Sequence, residues 1–322
     1  MADAEDVMIP LDVPTAKRGV YTDNFNLMTK STGRLMLFAG DQKVEHMNKD
    51  FVGKYELGEI PADDADPEHM FRIASKGTIG VFATQIGMIA RYGADYADVP
   101  YLVKLNSKTN LVKTATMDPI SNLWLDVDRV AEFAQESGLK IPAVGYTIYL
   151  GSTYEPQMLT QAAKLVNDAH RHGMLTVLWI YPRGKDVADE MDPHLIAGAC
   201  GVALTLGSDF VKVNYPKAEG QESHEIFKEA VAAAGRTHVV AAGGSSTDAN
   251  VFLQRLHDQI HVSGAIGNAT GRNIHQKPLD EAVRMCDAIS AITLADMSVE
   301  EAENIYNGNK CLVQDASAWS IA

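Results

Sequence analysis

The stretch GSDFVKVNYP, Gly207 to Pro216, decides how this chain is read, because it sets one lysine inside an apolar run. Read as a β-strand, its side chains alternate: Phe210, Lys212 and Asn214 share one face, Val211 and Val213 the other. An apolar run that ends in proline and a polar loop predicts a buried parallel strand with Lys212 near its carboxyl end. A buried ammonium is costly, so it is either paired or stripped of its proton. A lysine whose pKa is lowered by desolvation or by a nearby cation is an amine nucleophile, suited to forming a Schiff base with a ketone. For the stretch alone the plainer reading is a lysine that snorkels from a strand end or satisfies a core carboxylate.

Working outward, the same pattern of apolar run and helical period recurs along the chain. Strands are predicted at Arg34 to Asp41, Thr78 to Thr84, Val99 to Asn106, Ala143 to Tyr149, Met174 to Tyr181, around Lys212, His238 to Gly244 and Ser263 to Asn268. Helices fall between them, among them Pro156 to His172 with Gly173 as its cap, Pro193 to Leu206 capped by Gly207, and Thr247 to Ile260. About eight βα units is the count that closes an α/β (β/α)8 TIM barrel. A doubly wound open sheet is the alternative, but no GxGxxG turn follows the first strand. The expected division is an N-terminal extension over residues 1–33, a barrel over 34–292 and a C-terminal appendage over 293–322.

With 322 residues, 46% of them hydrophobic, the chain can bury a core of that size. Its formal charge of −14 argues against a general nucleic-acid or anionic-membrane binder. A local basic pocket for a phosphorylated metabolite stays compatible with it. An acidic start without an apolar segment and the lack of a membrane-length run predict a cytoplasmic protein. Cys200, Cys286 and Cys311 stand far apart without metal-ligand spacing, so reduced thiols are expected, with Cys200 and Cys286 buried in helices.

Polar side chains at the carboxyl ends of barrel strands converge on one mouth. Here those ends carry Asp41, followed by Glu45 and His46; Lys104 and Asn106; Thr147 and Tyr149; Trp179 and Tyr181; and Lys212 and Asn214. Each has an ordinary explanation alone: a helix cap for Asp41, core packing for the aromatics, a solvated loop for His46. Their recurrence at successive strand ends is the signal. AAGGSS, Ala241 to Ser246, and GAIGNATGRN, Gly264 to Asn273, add glycines where backbone N–H groups can approach an anion after strands seven and eight. Arg272 adds a charge able to grip a phosphate by two bonds.

Taken together, Asp41 to His46, LVKLN (Leu102 to Asn106), TIYLGS (Thr147 to Ser152), LWIYPRG (Leu178 to Gly184), DFVKVN (Asp209 to Asn214) and the turns at Gly243 and Gly271 resemble the archaeal-type class I fructose-1,6-bisphosphate aldolases. The resemblance implies a TIM barrel, a metal-independent lyase without a cofactor, and a phosphorylated sugar substrate. Carried over, it makes Lys212 the imine-forming lysine, Tyr181 a proton-transfer residue and Asp41 a carboxylate that contacts the sugar hydroxyls. Gly243, Gly244, Ser245, Gly271 and Arg272 would hold a phosphate, and Trp179, His46 and Asn214 would face substrate. Lys104 is expected to bind substrate or to act as the cation that lowers the pKa of Lys212, the plainer reading being a lysine paired with a core carboxylate. A homo-oligomer is also implied. Lys43 stands where many relatives have glycine, and the loops over 43–67 and 107–123 are long. Rival readings are a transaldolase-like dideoxy-heptulosonate synthase, a thiolase acting on a phosphorylated dione, and a phosphosugar-binding barrel without turnover.

Overall fold

The computed structural model describes residues 7–55, 57–315 and 318–321. Eight parallel strands close a barrel: β1 (Leu35–Ala39), β2 (Val81–Thr84), β3 (Tyr101–Lys104), β4 (Ala143–Leu150), β5 (Leu175–Pro182), β6 (Phe210–Val213), β7 (His238–Ala242) and β8 (Gly267–Thr270). Each strand pairs with its neighbour in sequence, and β8 returns to β1 with Leu35 opposite Gly267. The α/β barrel expected from the alternation is the fold observed.

Two apolar layers explain why the strands read as near-continuous hydrophobic runs. One face of each strand fills the barrel: Leu35, Leu37, Val81, Ala83, Leu102, Val177 and Phe210 are buried there. The other face packs on the surrounding helices, with Phe38, Phe82, Val103, Ile180, Val211 and Val213 among its members. Lys212 continues the inner row begun by Phe210, as the period of two requires.

At the amino ends of the strands, helix α1 (Arg18–Thr29) turns Tyr21, Phe25 and Met28 into the barrel and forms its floor. Phe25 stacks on Phe210 with 6.1 Å between ring centroids. Within the segment expected to be an N-terminal extension with some helix, α1 is part of the packed interior.

The ring of helices continues with α2 (Glu68–Lys76), α3 (Ile86–Tyr92), α4 (Val127–Ser137), α5 (Glu155–His172), α6 (Pro193–Leu206), α7 (Ser223–Ala233), α8 (Ala249–His257) and α9 (Leu279–Thr293). Gly173 and Gly207 end α5 and α6 at φ of 74° and 82°, the left-handed conformation that glycine adopts without penalty. Cys200 and Cys286 are buried in α6 and α9. Beyond the ring, α10 (Val299–Tyr306) packs on α8 and α9, and a hairpin of Leu312–Asp315 with Ala318–Ile321 follows. Among the described residues no helix is long and apolar enough to cross a membrane.

The eighth strand lies later than the sequence reading placed it. After α8 the chain makes a π-helical turn over Asp258–Val262, and Gly264 closes it at φ of 85°. Ser263 and Gly264 are consumed by that turn, so the strand starts at Gly267. Of the glycines expected between strand and helix, Gly264 instead precedes β8 and Gly267 lies within it. Only Gly271 occupies the turn.

Candidate active site

At the carboxyl ends of the strands, two lysines meet over one indole. Lys104 ends β3 and Lys212 sits on the inner face of β6; their Nζ atoms lie 4.5 and 5.3 Å from the Trp179 ring centroid. Trp179 reaches this position from β5 because Gly145, on the neighbouring β4, has no side chain. A Cβ there would fall 2.5 Å from Trp179 Cζ3. The indole face offers negative electrostatic potential to both ammonium groups, and the Nε1–H is buried with no hydrogen-bond partner among the described residues.

Asp41 completes the group. It sits at the first turn of a short helix, Gln42–Glu45, but its side chain caps nothing. Instead its Oδ2 lies 3.3 Å from Lys104 Nζ, which also donates to Thr147 Oγ1 at 2.6 Å. Burial opposes the charged form of Asp41, yet the ammonium groups of Lys104 and Lys212 outweigh it and hold the carboxyl below the usual range. For Lys212 burial acts in the other direction: desolvation, with Lys104 and Arg272 reinforcing it, lowers the pKa against the pull of Asp41 and Glu45. Asp41 is thus the engaged partner of Lys104, and Lys212 is the more weakly compensated amine.

A cavity of about 220 Å³ opens above this group, and Lys212, Asp41, Trp179, Tyr181, His46 and Asn214 all line it. Lys104 does not: its side chain has no solvent exposure and stands beneath the cavity wall. That position sets its charge beside Lys212 and Asp41 rather than in the cavity. Tyr181 follows Trp179 by two residues on β5 and so faces the same interior. Its hydroxyl has no hydrogen-bond partner among the described residues, and burial together with Glu45 and Asp41 raises its pKa well above the ordinary value. The phenol stays protonated and free to donate.

The glycine-rich turns line the opposite wall through Gly243, Gly244 and Gly271, with Arg272 beside them. Gly271 is required by contact: a Cβ would fall 2.1 Å from Gln42 Nε2 and 2.7 Å from the Ala39 carbonyl. Ser245 is exposed and does not line the cavity; its carbonyl accepts from Asn273 Nδ2 at 3.1 Å.

Among the cavity residues given no site role from sequence are two charged ones, Glu45 and Arg183. Glu45 lines the wall and accepts from Ser107 Oγ at 3.2 Å. Arg183 lies 5.6 and 5.7 Å above the rings of Tyr181 and Tyr149 and is held by Glu190 through two bonds of 2.7 and 2.8 Å. Glu45 was visible only as a charge after Asp41, with its partner Ser107 far away in sequence, and Arg183 only within LWIYPRG, although Glu190, which fixes it, follows seven residues later.

A model of the DeoC/LacD family aldolases matches residues 35–277, the span that builds the barrel and this cavity. The chain belongs to the DeoC/LacD aldolase family. Within it, the chain is 57% identical over 305 residues to a fructose-bisphosphate aldolase/6-deoxy-5-ketofructose 1-phosphate synthase of Methanocaldococcus jannaschii, covering 95% of this chain and 96% of that one. A solved fructose-bisphosphate aldolase from Slackia heliotrinireducens superposes with a TM-score of 0.94 at 55% identity, over 97% of this chain and 98% of that one. An archaeal fructose-1,6-bisphosphate aldolase solved with its catalytic lysine covalently bound to the carbinolamine intermediate superposes at 0.72, with 31% identity, over 85% and 99%.

Proposed function

We propose that this family member is a class I fructose-1,6-bisphosphate aldolase whose Schiff base forms on Lys212. The observation that carries the reading is the buried amine of Lys212, lowered in pKa by desolvation and by Lys104, facing a cavity shared with Asp41 and Tyr181. The free amine attacks the C2 ketone, and loss of water from the carbinolamine leaves an iminium. Removal of the proton from the C4 hydroxyl lets the C3–C4 electron pair move into the iminium, which releases glyceraldehyde 3-phosphate and leaves an enamine. Protonation at C3 and hydrolysis then return dihydroxyacetone phosphate and the free lysine. The iminium is the electron sink, so the reaction needs no metal.

Asp41, ionised at neutral pH, takes the hydroxyl proton directly or through a water, and Tyr181, a protonated phenol, donates at the carbon. Gly243, Gly244, Gly271 and Arg272 receive a phosphate on the wall away from Tyr181. Borohydride added with substrate should reduce the imine to a stable adduct that mass mapping places on Lys212. Lys212→Met should abolish it, and an adduct that survives this change overturns the assignment.

The Methanocaldococcus relative favours a second activity at the same lysine. A 6-deoxy-5-keto sugar 1-phosphate is what forms when the three-carbon enamine adds to the aldehyde of a 2-oxopropanal in place of glyceraldehyde 3-phosphate. Supplying fructose 1,6-bisphosphate together with 2-oxopropanal should give this six-carbon product; cleavage without it limits the enzyme to the aldolase reaction. The reading keeps the chain as a cytoplasmic homo-oligomer. Exposed apolar side chains such as Leu11, Leu111 and Trp124 support burial against a second copy, which light scattering would detect as a multiple of the chain mass.

A further inference from the structure

The long loop after β1 does not hang free over the mouth. Phe51 stacks on His275 with 4.9 Å between centroids, Asp64 holds His275 Nδ1 at 2.8 Å, and Lys43 lies 4.0 Å over the Phe51 ring. The backbone carbonyl of Asp50 accepts from Gln276 Nε2 at 2.8 Å, and Gln276 is itself held by Ser246 Oγ at 2.6 Å. Asp50 is therefore fixed against the turns that follow both β7 and β8.

Its side chain ends between two cavity residues on different elements. Asp50 Oδ2 lies 3.7 Å from Arg272 Nε and 3.4 Å from His46 Nδ1. That oxygen is buried with no hydrogen-bond partner among the described residues. A carboxylate oxygen in this state carries a desolvation cost that its neighbours only partly offset, so its presence calls for a role. The geometry on the guanidinium supplies one. A carboxylate set against the Nε side of an arginine leaves the terminal nitrogens free for a second anion, and the planar fork then points at one place.

We propose that Asp50 is the positioning residue of the anion-binding end of this cavity, holding Arg272 by its Nε side so that its terminal nitrogens meet a phosphate beside Gly243 and Gly271. The inference rests on the aldolase reading only for its kinetic arm; the binding arm stands without it.

Inorganic phosphate binding to the full chain, followed by calorimetry, is the direct test. Asp50→Asn keeps the size of the side chain and the backbone bond to Gln276; it should weaken phosphate about tenfold, raise the substrate KM to a similar degree and change kcat by less than about twofold. Arg272→Lys keeps the charge but cannot be held on one side while presenting the other, so it should lose about as much. Adding Asp50→Asn to Arg272→Lys should then change nothing further. The proposal is overturned if either single variant binds phosphate as the parent does, if their losses add, or if the parent binds no phosphate. An absent borohydride adduct would instead sink the aldolase reading while leaving the phosphate result to judge Asp50.

Discussion

The mouth and the floor of this barrel both bury charged groups, and they treat them in opposite ways. On the floor, Asp209 accepts from Tyr21 Oη at 2.6 Å, from the Thr176 backbone N–H at 2.7 Å and from Thr176 Oγ1 at 3.0 Å. His170 lies between this carboxylate and Asp12, with ring nitrogens 3.2 and 2.8 Å from them. These polar atoms are matched. At the mouth, among the described residues, no carboxylate pairs with Lys212, and Trp179 Nε1, Gln42 Oε1 and Asp50 Oδ2 are buried without partners. A saturated network stabilises a fold, whereas an unsaturated one leaves polar groups that a ligand can engage.

Lys104→Met breaks the mouth side of this comparison. Without that cation Asp41 is left to pair with Lys212, whose pKa then rises, and less of the amine is free at neutral pH. Cleavage at pH 7 should fall by about a hundredfold, and the acidic limb of the pH–rate profile should move to higher pH. A variant that loses rate without moving that limb would assign Lys104 a packing role only.

The smaller effect belongs to the floor, and it falls on stability. Burial pulls the pKa of His170 down, but the hydrogen bonds and charges of Asp209 and Asp12 override it and raise it from 6.5 to about 9. A histidine raised on folding contributes fully below its unfolded pKa, and that contribution is lost as pH climbs through the folded value. The contribution is on the order of 3 kcal/mol. His170→Gln should lower the melting temperature most near pH 6, with the gap from the parent closing above about pH 9 and kcat nearly unchanged. A gap that is the same at both ends of this range would show that the histidine acts through packing alone.

The two regions also differ in how far they could be read in advance. The mouth was legible because strand alternation is local: Lys212 follows Phe210 by two residues, Lys104 follows Leu102, Tyr181 follows Trp179, and a barrel converges whatever ends its strands. The floor was not legible, because Tyr21 and Asp209 stand 188 positions apart and nothing near either one signals the other. Asp209 was read only as part of a strand motif. Asp50 escaped for the same reason, since its role depends on Arg272 across the sequence. The eighth strand was misplaced because a π-helical turn after α8 has no period that a sequence pattern reveals.

The central claim is that the unsaturated lysine at the mouth is the reacting one. The most direct measurement is mass mapping of the adduct left by borohydride and fructose 1,6-bisphosphate on the parent chain and on Lys212→Met and Lys104→Met. A single adduct on Lys212, present but slower to form in Lys104→Met and absent in Lys212→Met, is the predicted result. An adduct on Lys104, or one that persists without Lys212, would contradict it.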